Sequence, residues 1–137
     1  MISPHILAFY YVNAPVVLSV DASSKAMGAV LLQGGKPVAY ASKSLSSAEF
    51  NYPQIEKEAA AIRFASRKFH QYIYGKELTI ESDHKPLESI FRKPLDLAPA
   101  RLKRIRLDVA QYKPRVIYVR GKDIPISDIV RRDVVNH

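Results

Sequence analysis

Cysteine is absent from the 137-residue chain. That excludes both a disulfide framework and a thiolate metal site, and it points to an intracellular protein. Long apolar runs are missing as well. Nothing approaches the roughly 20 residues that a membrane helix needs, and the opening MISPHILAFYYVNAP lacks the charged start of a signal peptide. A soluble protein with no membrane partner is therefore expected. There is no internal repeat and no low-complexity tract. Acids are scarce relative to bases: 13 Asp and Glu stand against 21 Lys and Arg, a net charge of +8. The surplus is unevenly placed, since residues Arg101 to Lys122 hold eight Lys or Arg against the single acid Asp108. Such a cluster suits a polyanionic partner such as nucleic acid, although a merely solvated basic face has the same composition.

What is present is material for one core. A hydrophobic fraction of 47% in 137 residues supports a single domain of ordinary size and argues against disorder. Residues 1–15 are apolar but unperiodic and broken by Pro4 and Pro15, so they read as a connecting segment. From Val16 the pattern changes to strands: Val16–Asp21, Ala26–Gln33 and Pro37–Ser42, the last two separated by the turn signal Gly34-Gly35. Three strands at this spacing predict an antiparallel meander. Residues 44–51 are polar and turn-like. A long helix then runs from after Pro53 to Gly75, with Ile55, Ala59, Ile62, Ser66, Phe69 and Ile73 on its buried face.

Two acids open that helix, and they differ in direction. Glu56 lines up with Ala60, Arg63 and Arg67 on what reads as the wet side, whereas Glu58 lies at the edge of the buried stripe. The alternation in residues 77–83, ELTIESD, predicts a half-buried strand ending in Asp83. A short helix follows Pro86, and residues 94–99 form a loop. Ala100–Tyr112 is an amphipathic helix with Leu102, Ile105, Val109 and Tyr112 inward and Arg101, Arg104 and Asp108 outward. Arg115–Val119 is a fifth strand, and Asp123-Ile124-Pro125 signals a last helix with Asp128 in its first turns.

These elements make a mixed α/β layer fold. A right-handed crossover through the long helix lays the Asp83 strand parallel to the Asp21 strand, and both acids then fall at the carboxyl ends of strands, where open α/β sheets carry their sites. Carboxylates brought together repel unless a cation neutralises them. An all-oxygen set suits Mg2+ or Mn2+ rather than zinc, and two such ions roughly 4 Å apart are a device for phosphodiester cleavage. Each acid also has an ordinary explanation. Asp21 and Asp83 fit strand-end turn formers, Glu58 a first-turn acid that complements the helix dipole, and Asp128 a helix-start acid, singly the weakest of the four. His84 and Lys85 fit polar loop residues as well as substrate contacts.

Several blocks taken together, LSVDASSKAMGAVLLQ, PVAYASKSLSSAEFNYPQIEKEAAAI, KFHQYIYGKELTIESDHKPLESIF, APARLKRIRLDVAQY and YVRGKDIPISDIVRR, resemble the ribonuclease H domain of the Pol polyprotein of gypsy-type LTR retrotransposons. The resemblance covers nearly the whole chain in order. It implies an RNase H-like fold, a five-stranded mixed sheet of three antiparallel strands with two parallel additions, flanked by helices. It also implies cleavage of the RNA strand of RNA/DNA hybrids with two Mg2+ ions, Mn2+ being able to replace them, held by Asp21, Glu58, Asp83 and Asp128.

By the same resemblance, residues 1–15 connect to a preceding reverse transcriptase domain, residues 16–134 are the RNase H domain and residues 135–137 a tail. The implied partners are an RNA/DNA hybrid and that reverse transcriptase domain, in the cytoplasm or in virus-like particles. Charge and location make Ser23, Ser24, His84, Lys85, Arg101, Arg104 and Lys122 the candidate contacts to nucleic acid. The chain departs from the family in carrying Ser82 where Thr is usual and Ser127-Asp128-Ile129-Val130-Arg131-Arg132 where Ala-Asp-Ala-Leu-Ser-Arg is common, and Gly121-Lys122-Asp123 stands where cellular ribonucleases H have a histidine-rich loop. The competing expectations are a catalytically weak or inactive module that keeps only the fold and the basic surface, and a scaffold for subunit association.

Overall fold

A computed structural model describes residues 5–120. Its sheet contains six strands: β1 (His5–Ile6), β2 (Val16–Ala22), β3 (Ala26–Gln33), β4 (Lys36–Ser44), β5 (Leu78–Ser82) and β6 (Arg115–Tyr118), in the spatial order β1-β4-β3-β2-β5-β6. The meander is antiparallel, and β5 adds to β2 in parallel, with β6 parallel to β5. The sheet therefore has the expected three-plus-two arrangement with one strand more. The addition is β1, from the segment read as a connector. Two residues pair with Tyr40 and Ala39 at the edge of β4, too short a run to leave a period in the sequence.

Helices α1 (Ser47–Phe50), α2 (Gln54–Lys68), α3 (His70–Ile73), α4 (Lys85–Arg92) and α5 (Ala100–Val109) supply the rest of the architecture. One pleat row runs Ala39, Leu31, Leu18, Ile80 and Val116 across five strands. All five belong to a single hydrophobic cluster that also takes in Ala59, Ile62, Leu87, Leu102 and Ile105 from the helices and Phe69 from between α2 and α3. The predicted inward stripe of the long helix is buried from Ala59 to Ile73, while Ile55 is half-buried. The helix does not run unbroken to Gly75. The backbone leaves helical geometry at Phe69 (φ −102°, ψ 19°), and α3 restarts behind it.

Two further expectations change. The polar stretch before the long helix contains α1, closed by a reciprocal capping box: the Ser46 side chain accepts from the Glu49 amide while the Glu49 carboxylate accepts from the Ser46 amide. The expected wet side of α2 meets α5 in part, Arg67 staying exposed. Glu56 pairs with Arg101, and both Arg63 and Arg67 reach Asp108, at 3.3 and 3.4 Å. A charged stripe there marks the solvent-facing rim of a helix–helix seam. The seam continues on the other side of α5, where Arg106 donates to the carbonyls of Ile90, Phe91 and Lys93 at the end of α4. Those carbonyls have no partners within their own helix. Among the described residues no helix is long and apolar enough to cross a membrane.

Candidate active site

Asp21 is carried by the central strand, next to the C-terminal end of β2, and its register partner on β3 is Gly28. Its Oδ1 accepts from the Ala22 amide at 3.0 Å, which fixes the carboxylate against its own backbone. Asp83 is the residue after β5. The buried Ser82 Oγ accepts from the His84 amide at 3.0 Å, bending the chain so that Asp83 leaves the sheet before α4 begins. Glu58 arrives from α2. It lies one turn into the helix and is almost wholly buried, with 3% of its surface exposed.

Strand and helix are tied together by Gln54. Its Nε2 donates to the Ala22 carbonyl and to Glu58 Oε1, both at 2.9 Å. The outcome is a cluster in which Asp21, Glu58 and Asp83 each offer one carboxylate oxygen within 4.8 Å of the others. Burial falls across it, from buried Glu58 through half-buried Asp21 to exposed Asp83, so the cluster opens to solvent on the Asp83 side. Three carboxylate oxygens at this spacing fit a hard divalent cation such as Mg2+ or Mn2+ in donor chemistry. Of the two acids that open α2, Glu58 joins the cluster and Glu56 turns away to Arg101. Asp128 and Lys122 lie outside the described residues.

The candidate nucleic-acid contacts are less uniform. Ser23 and Ser24 are exposed in the β2–β3 turn. The Ser23 hydroxyl is already used there, accepting from the Lys25 and Ala26 amides and donating to the Ala26 carbonyl. Lys85 and Arg104 are exposed, and His84 is half-buried beside Asp83. Arg101 lies over the Tyr52 ring at 4.2 Å while it pairs with Glu56, and the Glu56 hydrogen bond raises its already high pKa. It therefore spends its guanidinium on the α2–α5 seam. Gln54 is the participant that charge and motif reasoning passed over. The available signal was its i,i+4 spacing to Glu58 on one helix face.

Residues 11–112 match the family model described as the RNase H-like domain found in reverse transcriptase. The chain belongs to this family. Within it, the chain is 39% identical over 116 residues to the retrovirus-related Pol polyprotein from transposon 297 of Drosophila melanogaster, covering 85% of the chain and 11% of that protein. It is 38% identical over 136 residues to the corresponding polyprotein from transposon 412 of the same fly, covering 96% of the chain and 11% of that protein. The chain thus spans about a ninth of the length of these relatives. Its fold is similar to that of LC11-RNase H1 solved in complex with an RNA/DNA hybrid, at TM-score 0.67, 12% identity, and coverage of 89% of this chain and 99% of that one. As an RNase H-like domain of a retrotransposon Pol polyprotein, it places its acidic cluster at the carboxyl edge of the sheet, where open α/β sheets carry their sites.

Proposed function

We propose that this domain is a metal-dependent endoribonuclease that cuts the RNA strand of RNA/DNA hybrids during reverse transcription. The observation that carries this reading is the convergence of Asp21, Glu58 and Asp83 within 4.8 Å in a member of the RNase H-like family. In the parent polyprotein it works beside an RNA-directed DNA polymerase domain. Asp21, Glu58, Asp83 and, from outside the described residues, Asp128 would hold two divalent cations, Mg2+ or in its place Mn2+. When bound, the two ions supply an activated water and charge stabilisation at the leaving oxygen.

The chain's own residues do the rest. Asp21 and Asp83 extend from the ends of neighbouring parallel strands, so the sheet sets their separation. Glu58 adds a third charge from a rigid helix rather than from a loop, which favours precise placement. A net negative cleft would repel phosphates on its own. Lys85 and Arg104, both exposed, together with Lys122, offset that repulsion along the backbone of the hybrid, and the Ser23–Ser24 turn and His84 provide neutral contacts.

A labelled hybrid incubated with the protein in Mg2+ is the direct test. The wild type is expected to cut the RNA strand and Asp83→Asn to be inactive, with both binding the hybrid more weakly as salt rises. Equal cleavage by the two proteins, or cleavage that survives EDTA, refutes the mechanism. Binding without turnover by the wild type assigns the domain to the non-catalytic alternative.

A further inference from the structure

The cluster rests on one side chain that is not itself an acid. Gln54 is the first residue of α2, and its amide nitrogen makes two hydrogen bonds of 2.9 Å, one to the Ala22 carbonyl and one to Glu58 Oε1. Ala22 directly follows Asp21 on β2. A single amide therefore connects the strand that carries one acid with the carboxylate of another acid on a separate element. A carboxylate on a three-torsion side chain has several staggered rotamers, and in an unneutralised cluster repulsion from Asp21 and Asp83 drives it toward those that point away. The Gln54 donor opposes this. Being neutral, it restrains Glu58 without contributing a positive charge that would compete with a cation, as a Lys or Arg at the same place would.

We infer that Gln54 is a positioning residue for divalent-cation binding, acting through Glu58. The inference rests on the metal-site reading proposed above, and its test separates the two. Outer-shell partners of metal ligands typically contribute 10- to 100-fold in metal affinity. Because the Ala22 bond also helps to seat the helix, the effect at Glu58 has to be isolated from a general loosening.

Mn2+ affinity of the 137-residue chain, measured by calorimetric titration, is compared for wild type, Gln54→Ala, Glu58→Gln and the double variant, with thermal melts in EDTA to show that each is folded. Gln54→Ala is expected to weaken Mn2+ binding about 10-fold, while in the Glu58→Gln background the same substitution should have no further effect. Hybrid cleavage by Gln54→Ala should fall at low Mn2+ and recover toward wild type at saturating Mn2+. Unchanged Mn2+ affinity in Gln54→Ala, or an equal loss in both backgrounds, overturns the inference while leaving the metal site intact. If Asp83→Asn also binds Mn2+ like the wild type, it is the metal-site reading that fails.

Discussion

Replacing Glu58 with Gln should stabilise the domain when no divalent ion is present and deprive it of stabilisation when one is. One carboxylate oxygen from each of Asp21, Glu58 and Asp83 lies within 4.8 Å of the other two. Two unit charges at that distance repel by about 3.5 kcal/mol at an effective dielectric constant of about 20 and by about 0.9 kcal/mol in bulk water. Glu58 is buried and Asp21 half-buried, so their pair falls between these limits. Glu58→Gln keeps the side-chain volume and an oxygen to accept the Gln54 hydrogen bond while removing the repulsion. The gain near neutral pH should be about 1–3 kcal/mol, or roughly 3–10 °C in melting temperature for a domain of this size. Magnesium reverses the order. A ligand present at about 100 times its Kd stabilises the folded state by about 2.7 kcal/mol, a gain open to the wild type and curtailed in the variant. Differential scanning fluorimetry in EDTA and across a Mg2+ titration reads both effects. Glu58→Gln melting below the wild type in EDTA, or Mg2+ raising both proteins equally, would show that carboxylate repulsion does not set the stability of the cluster.

Two further predictions concern the framework. Arg106→Ala strips partners from the carbonyls of Ile90, Phe91 and Lys93 and should cost about 1–3 kcal/mol in urea unfolding, while leaving the secondary-structure content of the folded state intact by circular dichroism. Glu49 should make stability depend on acid. Burial pushes its carboxyl up, but the Lys43 ammonium at 2.7 Å and the Ser46 amide at 2.9 Å outweigh burial and hold it below the usual carboxylate range. Its folded pKa is thus below the unfolded one, so its contribution is complete above the unfolded value of 4.5 and disappears as pH falls through the folded value. Urea midpoints should converge for wild type and Glu49→Gln on acidification toward about pH 3 and separate in favour of the wild type by about pH 6. A constant gap across that range would contradict the assignment.

The strands around Asp21 could be read because apolar residues and turn glycines mark them locally, and the parallel placement of β5 followed from the helical crossover and its handedness. β1 escaped because two edge residues carry no period. α1 escaped although its Ser46–Glu49 pair is a helix-start signature, since a four-residue helix has no apolar stripe to accompany it. The side of α2 bearing Glu56, Arg63 and Arg67 was only partly legible for a different reason, Arg67 being exposed as expected. Charge pattern distinguishes polar from apolar faces, but it does not say whether the polar face meets water or an oppositely charged helix, and here Arg101 and Asp108 supply that helix. At the site, the convergence of Asp21 and Asp83 could be argued from topology, and the choice of Glu58 over Glu56 from helical phase. Gln54 could not be found by looking for charge, because its contribution is a neutral hydrogen bond that exists only once strand and helix have met.

The antiparallel half of the sheet, β2–β3–β4, is joined by tight turns and can form from near neighbours along the chain. β5 cannot join it that way: its parallel pairing with β2 waits for the whole crossover through α2 and α3 to fold back, and such non-local contacts are the slow ones to form. Asp21 belongs to the locally connected half, Glu58 to the crossover and Asp83 to the end of the strand that the crossover delivers, with β6 still to add outside it. A half-folded chain accordingly contains the acids without the cluster. The capacity to collect cations arises with the β2–α2–β5 crossover, so an ion bound at these three residues would count only those molecules in which that crossover has formed.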